Sequence, residues 1–170
     1  TSHLGSDKRL RIVQGDFFQM DWTAFIEKLP KPMLILGNPP WVTNAALGAL
    51  GSENLPDKTN HDNLRGIEAL TGKSNFDISE WMLRKNLEWL ADAPGMLAVL
   101  CKTGVARKAL AYAWAEGLPL RCAEIRRIDA QAHFGASVDA CLLIVTCMPG
   151  GSAKDCAVYS SLQATQPEAA

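Results

Sequence analysis

The stretch L34-I-L-G-N38-P-P-W41-V-T-N44 decides the fold: a run of aliphatic residues ends abruptly in an asparagine, two prolines and a tryptophan. Extended to Pro32, the aliphatic part reads as a buried strand, because its apolar residues do not alternate with polar ones. Two prolines in succession fix the backbone and remove two N–H donors, while their carbonyl groups stay free to accept. The join therefore reads as a rigid acceptor site beside an aromatic plate, set at the carboxyl end of a strand.

Outward from this point, short apolar runs alternate with helical patterns, which predicts an α/β class with a mainly parallel sheet. Residues 10–17 read as a strand ending in a turn, and 21–29 as a short helix capped by Asp21. Residues 42–75 are polar and rich in glycine and asparagine, and read as a long loop. A helix is expected over 77–91, a strand over 96–102 and a second helix over 105–115. Strands over 120–129, 139–148 and 156–162 follow, with an antiparallel hairpin at one edge of the sheet. Residues 1–8 read as a polar tail, 9–162 as one domain and 163–170 as a disordered tail.

A chain of 170 residues with 48% hydrophobic and 21% charged residues has the composition of one globular domain. Its net charge of -1 gives no general attraction to a polyanion, so contact with nucleic acid needs a local patch or a further segment. The five cysteines lack CxxC spacing, which favours free thiols over a disulfide framework and gives no metal site. No run of about 20 apolar residues spans a membrane, and a cytoplasmic location is expected. Trp81 and Trp89, eight apart, read as core. Lys102, Arg107 and Lys108 read as a solvated face, and His61 and His133 receive no role.

The acceptor site suits a planar amino group. The Asn38 side-chain oxygen and the Pro39 carbonyl can each accept one N–H, and Trp41 can stack on the attached ring. Drawing both hydrogens toward fixed acceptors reduces delocalisation of the nitrogen lone pair and raises its nucleophilicity without a strong base.

The tetrapeptide resembles the Asn-Pro-Pro-aromatic motif of the S-adenosylmethionine-dependent amino-group methyltransferases, in particular the adenine-N6 DNA methyltransferases. The stretch from Lys73 to Leu100 resembles their Lys-x-Asn, helix and following strand, and His133 to Cys147 resembles a later strand segment that begins with a phenylalanine. "QGDFF" (14–18) resembles their Asp-Phe turn. The resemblance implies a partial Rossmann-like methyltransferase fold. It also implies that Asn38, Pro39, Pro40 and Trp41 hold a flipped adenine, that Phe134 is a second stacking aromatic, and that Asp16 and Phe17 touch the cofactor. DNA is the implied partner, in a restriction-modification or phage-defence setting.

The family's glycine-rich cofactor turn and its ribose-binding acid are not found before Asp16. The expectation is therefore part of a catalytic domain, completed by an N-terminal segment, a target-recognition domain or a partner chain. Two alternatives stand beside it. One is a methyltransferase acting on a protein glutamine amide or on guanine N2 of ribosomal RNA; the other is a non-catalytic nucleic-acid-binding or specificity module.

Overall fold

The computed structural model describes residues 12–41 and 77–168. The loop expected over 42–75 and the polar tail expected over 1–8 lie outside the described residues. In chain order the elements are α1 (Trp22–Ile26), β1 (Met33–Gly37), α2 (Ile78–Trp89), β2 (Gly95–Lys102), α3 (Thr103–Ala115), β3 (Leu120–Ile128), α4 (Ala130–Phe134), β4 (Ala140–Cys147) and β5 (Ala157–Tyr159). They form an α/β structure around one sheet in the order β1-β2-β4-β3-β5.

β1 pairs parallel with β2, and β5 pairs parallel with β3. β4 lies antiparallel between β2 and β3, so every strand except β4 points the same way. The antiparallel pair expected from the sequence is thus β3 with β4, and the short β5 lies outside it. Because β1 and β2 run side by side, their carboxyl ends, and the residues that follow them, share one edge of the sheet.

Alternation along β2 sends Leu97, Val99 and Cys101 to one face, where they meet Leu143 and Val145 of β4. Two helices cover that face. α2 contributes Leu83 and Leu87, while α3 contributes Ala106, Ala109, Leu110 and Ala113, all buried. The alanines let α3 approach the sheet closely, and each fully buried leucine contributes about 1.5–3 kcal/mol. Asp77 starts α2 as its N-cap, accepting from the Ser79 amide at 3.0 Å. Between α2 and α3 the buried carboxylate of Glu80 is paired with Arg84 at 2.6 Å and with Lys108 at 3.2 Å, which removes the penalty of an isolated buried charge.

Gly95 opens β2 at a point of close approach. A Cβ there would stand 2.5 Å from Leu90 Cδ2 and 2.8 Å from the Met33 carbonyl oxygen. The oxygen belongs to the β1 backbone and cannot move aside independently. Gly95→Ala is therefore expected to destabilise the chain by about 1–3 kcal/mol through overpacking, read as a lower urea midpoint.

Three differences from the sequence reading have physical causes. β1 is not buried on both sides, since Leu34 is 57% and Leu36 69% exposed. A continuous apolar run is expected to be covered twice, but β1 is the end strand among the described residues and the helices cover the other face. Residues 12–16 form no strand, as no neighbouring strand offers them a ladder among the described residues. Residues 163–168, expected to be disordered, are tied to the sheet. Arg126 donates to the carbonyls of Leu162 and Ala164, its guanidinium lies 4.0 Å from the Tyr159 ring centre, and the Glu168 amide donates to Val158.

Candidate functional site

The parallel ladder between β1 and β2 ends at Gly37 opposite Val99. Asn38, Pro39, Pro40 and Trp41 follow at once, at the carboxyl end of the sheet where open α/β folds bind ligands. Pro39 is buried, Asn38 and Pro40 are exposed, and Trp41 is half-buried. The indole of Trp41 donates from Nε1 to the Leu100 carbonyl of β2 at 3.3 Å.

Phe134, far away in sequence, comes to the same place. It ends α4, a single helical turn whose N-cap Asp129 accepts from the Ala132 amide at 2.9 Å. Gly135 terminates that turn with φ of 65°, a left-handed conformation suited to glycine. The Phe134 ring is 54% exposed and meets Trp41 edge-to-face, with centroids 6.4 Å apart at 89°. A cavity of about 410 Å³ is lined by Asn38, Pro39, Pro40, Trp41, Phe134 and Ala136. The structure thus brings together all the residues assigned to a base pocket from the sequence. The rings stand perpendicular, so a flat ligand stacked on both requires one of them to turn.

A second cavity of about 450 Å³ runs along β1, the end strand among the described residues. Phe17, Trp22, Trp89 and Leu36 line it, and so do Asn38, Pro39 and Pro40. The Asn-Pro-Pro backbone is therefore a shared wall between an aromatic-flanked pocket and an apolar groove. Phe17 is held by Trp22, whose Nε1 donates to the Phe17 carbonyl at 2.7 Å, and by ring contacts to Trp22 at 4.8 Å and Trp89 at 6.0 Å. Asp16 opens the turn that holds Phe17: its carboxylate accepts from the Phe18 amide at 2.9 Å. No Asp or Glu side chain lines the groove among the described residues.

Sequence reasoning did not find the groove residues of α1 and α2. Trp89 and Trp81 read as core because helical spacing marks an apolar face without saying what it faces; in the fold both stack in the cluster around Phe17 and Phe18. Lys102, read as solvated, instead pairs with Asp77 at 2.9 Å. That ion pair joins the end of β2 to the start of α2. The signal that could have found it is the capping carboxylate of Asp77, which has a second oxygen to spare.

All five cysteines are free. Cys101 and Cys141 face each other across β2 and β4 with sulfurs 4.0 Å apart, and the hydrogen bond between them, with burial, pushes the Cys101 thiol up. Burial pushes Cys147 and Cys156 each up to about 11. A raised value means less thiolate at a given pH, so at pH 8 their reactive form is about a hundredfold scarcer than for an ordinary thiol. Timed alkylation with iodoacetamide, read by peptide mass spectrometry, is expected to label the exposed Cys122 first and Cys147 and Cys156 far later. Among the described residues no group of three His, Cys, Asp or Glu side chains is placed to hold a metal ion, and no helix is long and apolar enough to cross a membrane.

Over 139 residues the chain is 48% identical to the Type II methyltransferase M.NspV of Nostoc sp.. It is homologous to part of that enzyme. The similarity takes in 82% of this chain and 29% of the relative, so the chain spans under a third of the length of the curated relative it matches. No family model matches the chain, and no solved structure does. The mixed five-stranded α/β sheet, with every strand but β4 pointing the same way, is consistent with a partial methyltransferase fold.

Proposed function

We propose that this chain is part of the catalytic domain of a DNA methyltransferase that moves a methyl group from S-adenosylmethionine to N6 of an adenine turned out of the duplex. The observation that carries the reading is the shared wall: Asn38, Pro39 and Pro40 line both cavities, one flanked by Trp41 and Phe134 and one by Phe17 and Trp22. A donor and an acceptor bound on either side of one rigid backbone meet across it.

In this reading the Asn38 side-chain oxygen and the Pro39 carbonyl each accept one hydrogen of the adenine amine. Trp41 stacks on the base and, with Phe134, offsets part of the few kcal/mol that unstacking costs. S-adenosylmethionine supplies an electrophilic methyl on a sulfonium. Transfer of that methyl to the N6 lone pair would leave neutral S-adenosylhomocysteine, and the extra proton on the amine would pass to water, with Asn38 and Pro39 holding the amine throughout. Phe17 and Trp22 offer an apolar aromatic wall for the cofactor's adenine ring, and Asp16 is assigned to the same end.

The fit is partial, because among the described residues the groove has no carboxylate for ribose hydroxyls or for the methionine ammonium. Residues of this chain beyond those described, further polypeptide or a partner chain would supply those groups and a strand against the edge of β1 that is unpaired among the described residues. The exposure of Leu34 and Leu36 on the face of β1 opposite the helices supports a covering element there, and the greater length of the homologue supports further polypeptide. A restriction-modification or phage-defence setting, with a separate target-recognition domain and a cytoplasmic location, completes the proposal.

Nucleoside analysis of DNA incubated with S-adenosylmethionine and the longest polypeptide containing this chain tests it. The expected product is N6-methyladenine. Methylated cytosine, or methylation of protein glutamine or ribosomal RNA with DNA untouched, would replace adenine as the substrate.

A further inference from the structure

We infer that the Leu100 carbonyl and the Trp41 indole N–H form a tether that sets the plane of the Trp41 ring, making Leu100 a backbone positioning residue for the base pocket. This deepens the proposed function and rests on it for its catalytic consequence. The argument starts from the ladder. β1 and β2 pair residue by residue as far as Gly37 and Val99. Met33 donates to the Pro94 carbonyl, so in this parallel register the next donor beyond Gly37 would be residue 39, aimed at the Leu100 carbonyl, and it is a proline without an N–H. Pro39, which helps stiffen the acceptor site, thus also removes the amide that would continue the ladder to β2.

The indole takes over as donor. Trp41 Nε1 reaches the Leu100 carbonyl at 3.3 Å, bridging the two strands just beyond the last paired residues. A carbonyl at a partly buried strand end left without a partner costs free energy, so the bond is favoured on both sides. Phe134 braces the ring from another direction at 89°. Two constraints on a side chain with two rotatable bonds leave its plane little freedom before any ligand arrives.

Two consequences distinguish tryptophan here from another aromatic residue. Its only N–H is committed to Leu100, so Trp41 presents a π face to the base and no hydrogen bond, and discrimination among bases falls to Asn38 and Pro39. Phenylalanine at this position keeps a stacking face but loses the tether. The ring then samples other planes, and bound bases spend less time aligned for transfer.

The test has two arms. In ¹⁵N-labelled chain, the Trp41 indole signal is identified by its loss in Trp41→Phe, and its hydrogen exchange is compared with that of free indole. Slowed exchange is expected, and exchange as fast as the free indole overturns the tether whatever the reaction. In steady-state methylation by the longest polypeptide containing the chain, Trp41→Phe is expected to lower kcat about tenfold while KM for DNA changes less than twofold. Unchanged kcat overturns the positioning role. If the unaltered protein makes no N6-methyladenine, the proposed function fails, and the exchange measurement alone decides the tether.

Discussion

Asn38→Ala is expected to abolish most of the proposed methyl transfer by the longest polypeptide containing this chain while leaving the fold intact. The Asn38 side chain is exposed at the end of β1, outside the buried cluster that holds the sheet together. Its loss therefore falls on chemistry, and the melting temperature should stay within about a degree, as for surface substitutions generally. On the proposed mechanism, one of two fixed acceptors on the amine disappears, and its contribution grows as charge develops on nitrogen. Removing one such preorganised partner in other enzymes costs about 10²–10³-fold in kcat. A loss of that size is expected here, with KM for DNA little changed because stacking on Trp41 survives. Asn38→Asp is the informative companion. It keeps an acceptor oxygen but loses the amide NH2, so its deficit separates the acceptor role from any donor role. Asn38→Ala retaining more than half the wild-type rate would remove Asn38 from the reaction. Single-turnover methylation of an adenine-containing duplex supplies the measurement.

The sequence made the sheet legible where apolar runs were bounded by turns. The positions of β1 to β5, the helix after Asp77 and the antiparallel pairing of β3 with β4 follow from composition and spacing, whereas the strand expected over 10–17 does not form across residues 12–16. The grouping of Asn38 to Trp41 was legible because the four residues are consecutive, and the family resemblance supplied Phe134, which the fold brings beside Trp41. What could not be read was every property that depends on a neighbour. A continuous apolar run looks the same whether both of its faces are covered or one stands open, which is why Leu34 and Leu36 were expected inside. The ion pair of Lys102 with Asp77 and the grip of Arg126 on residues 162 and 164 join groups far apart in sequence. No periodicity announces such contacts. The tether from Trp41 to Leu100 is of the same kind.

Leu36→Lys is expected to have opposite effects in two settings, and the contrast bears on how the sheet is completed. In the 170-residue chain Leu36 is 69% exposed, lies on the end strand and lines the groove beside it. A lysine there extends into water and should change stability by no more than about 0.5 kcal/mol, while its charge discourages edge-to-edge association. In a longer polypeptide whose added strand and covering elements close over β1, the same position becomes interior. An ammonium group without a partner would then cost several kcal/mol, and the packing of the leucine would be lost as well. The longer protein should lose cofactor binding and much of its cooperative unfolding, whereas the short chain should melt as before and sediment with less self-association. Equal tolerance in both would mean that the groove along β1 stays open, with Phe17 and Trp22 facing solvent in the working enzyme. The cofactor would then have to be held chiefly by the Asn-Pro-Pro wall and that aromatic pair, and Phe17→Ala should weaken S-adenosylmethionine binding in calorimetric titration more than any change at Leu36.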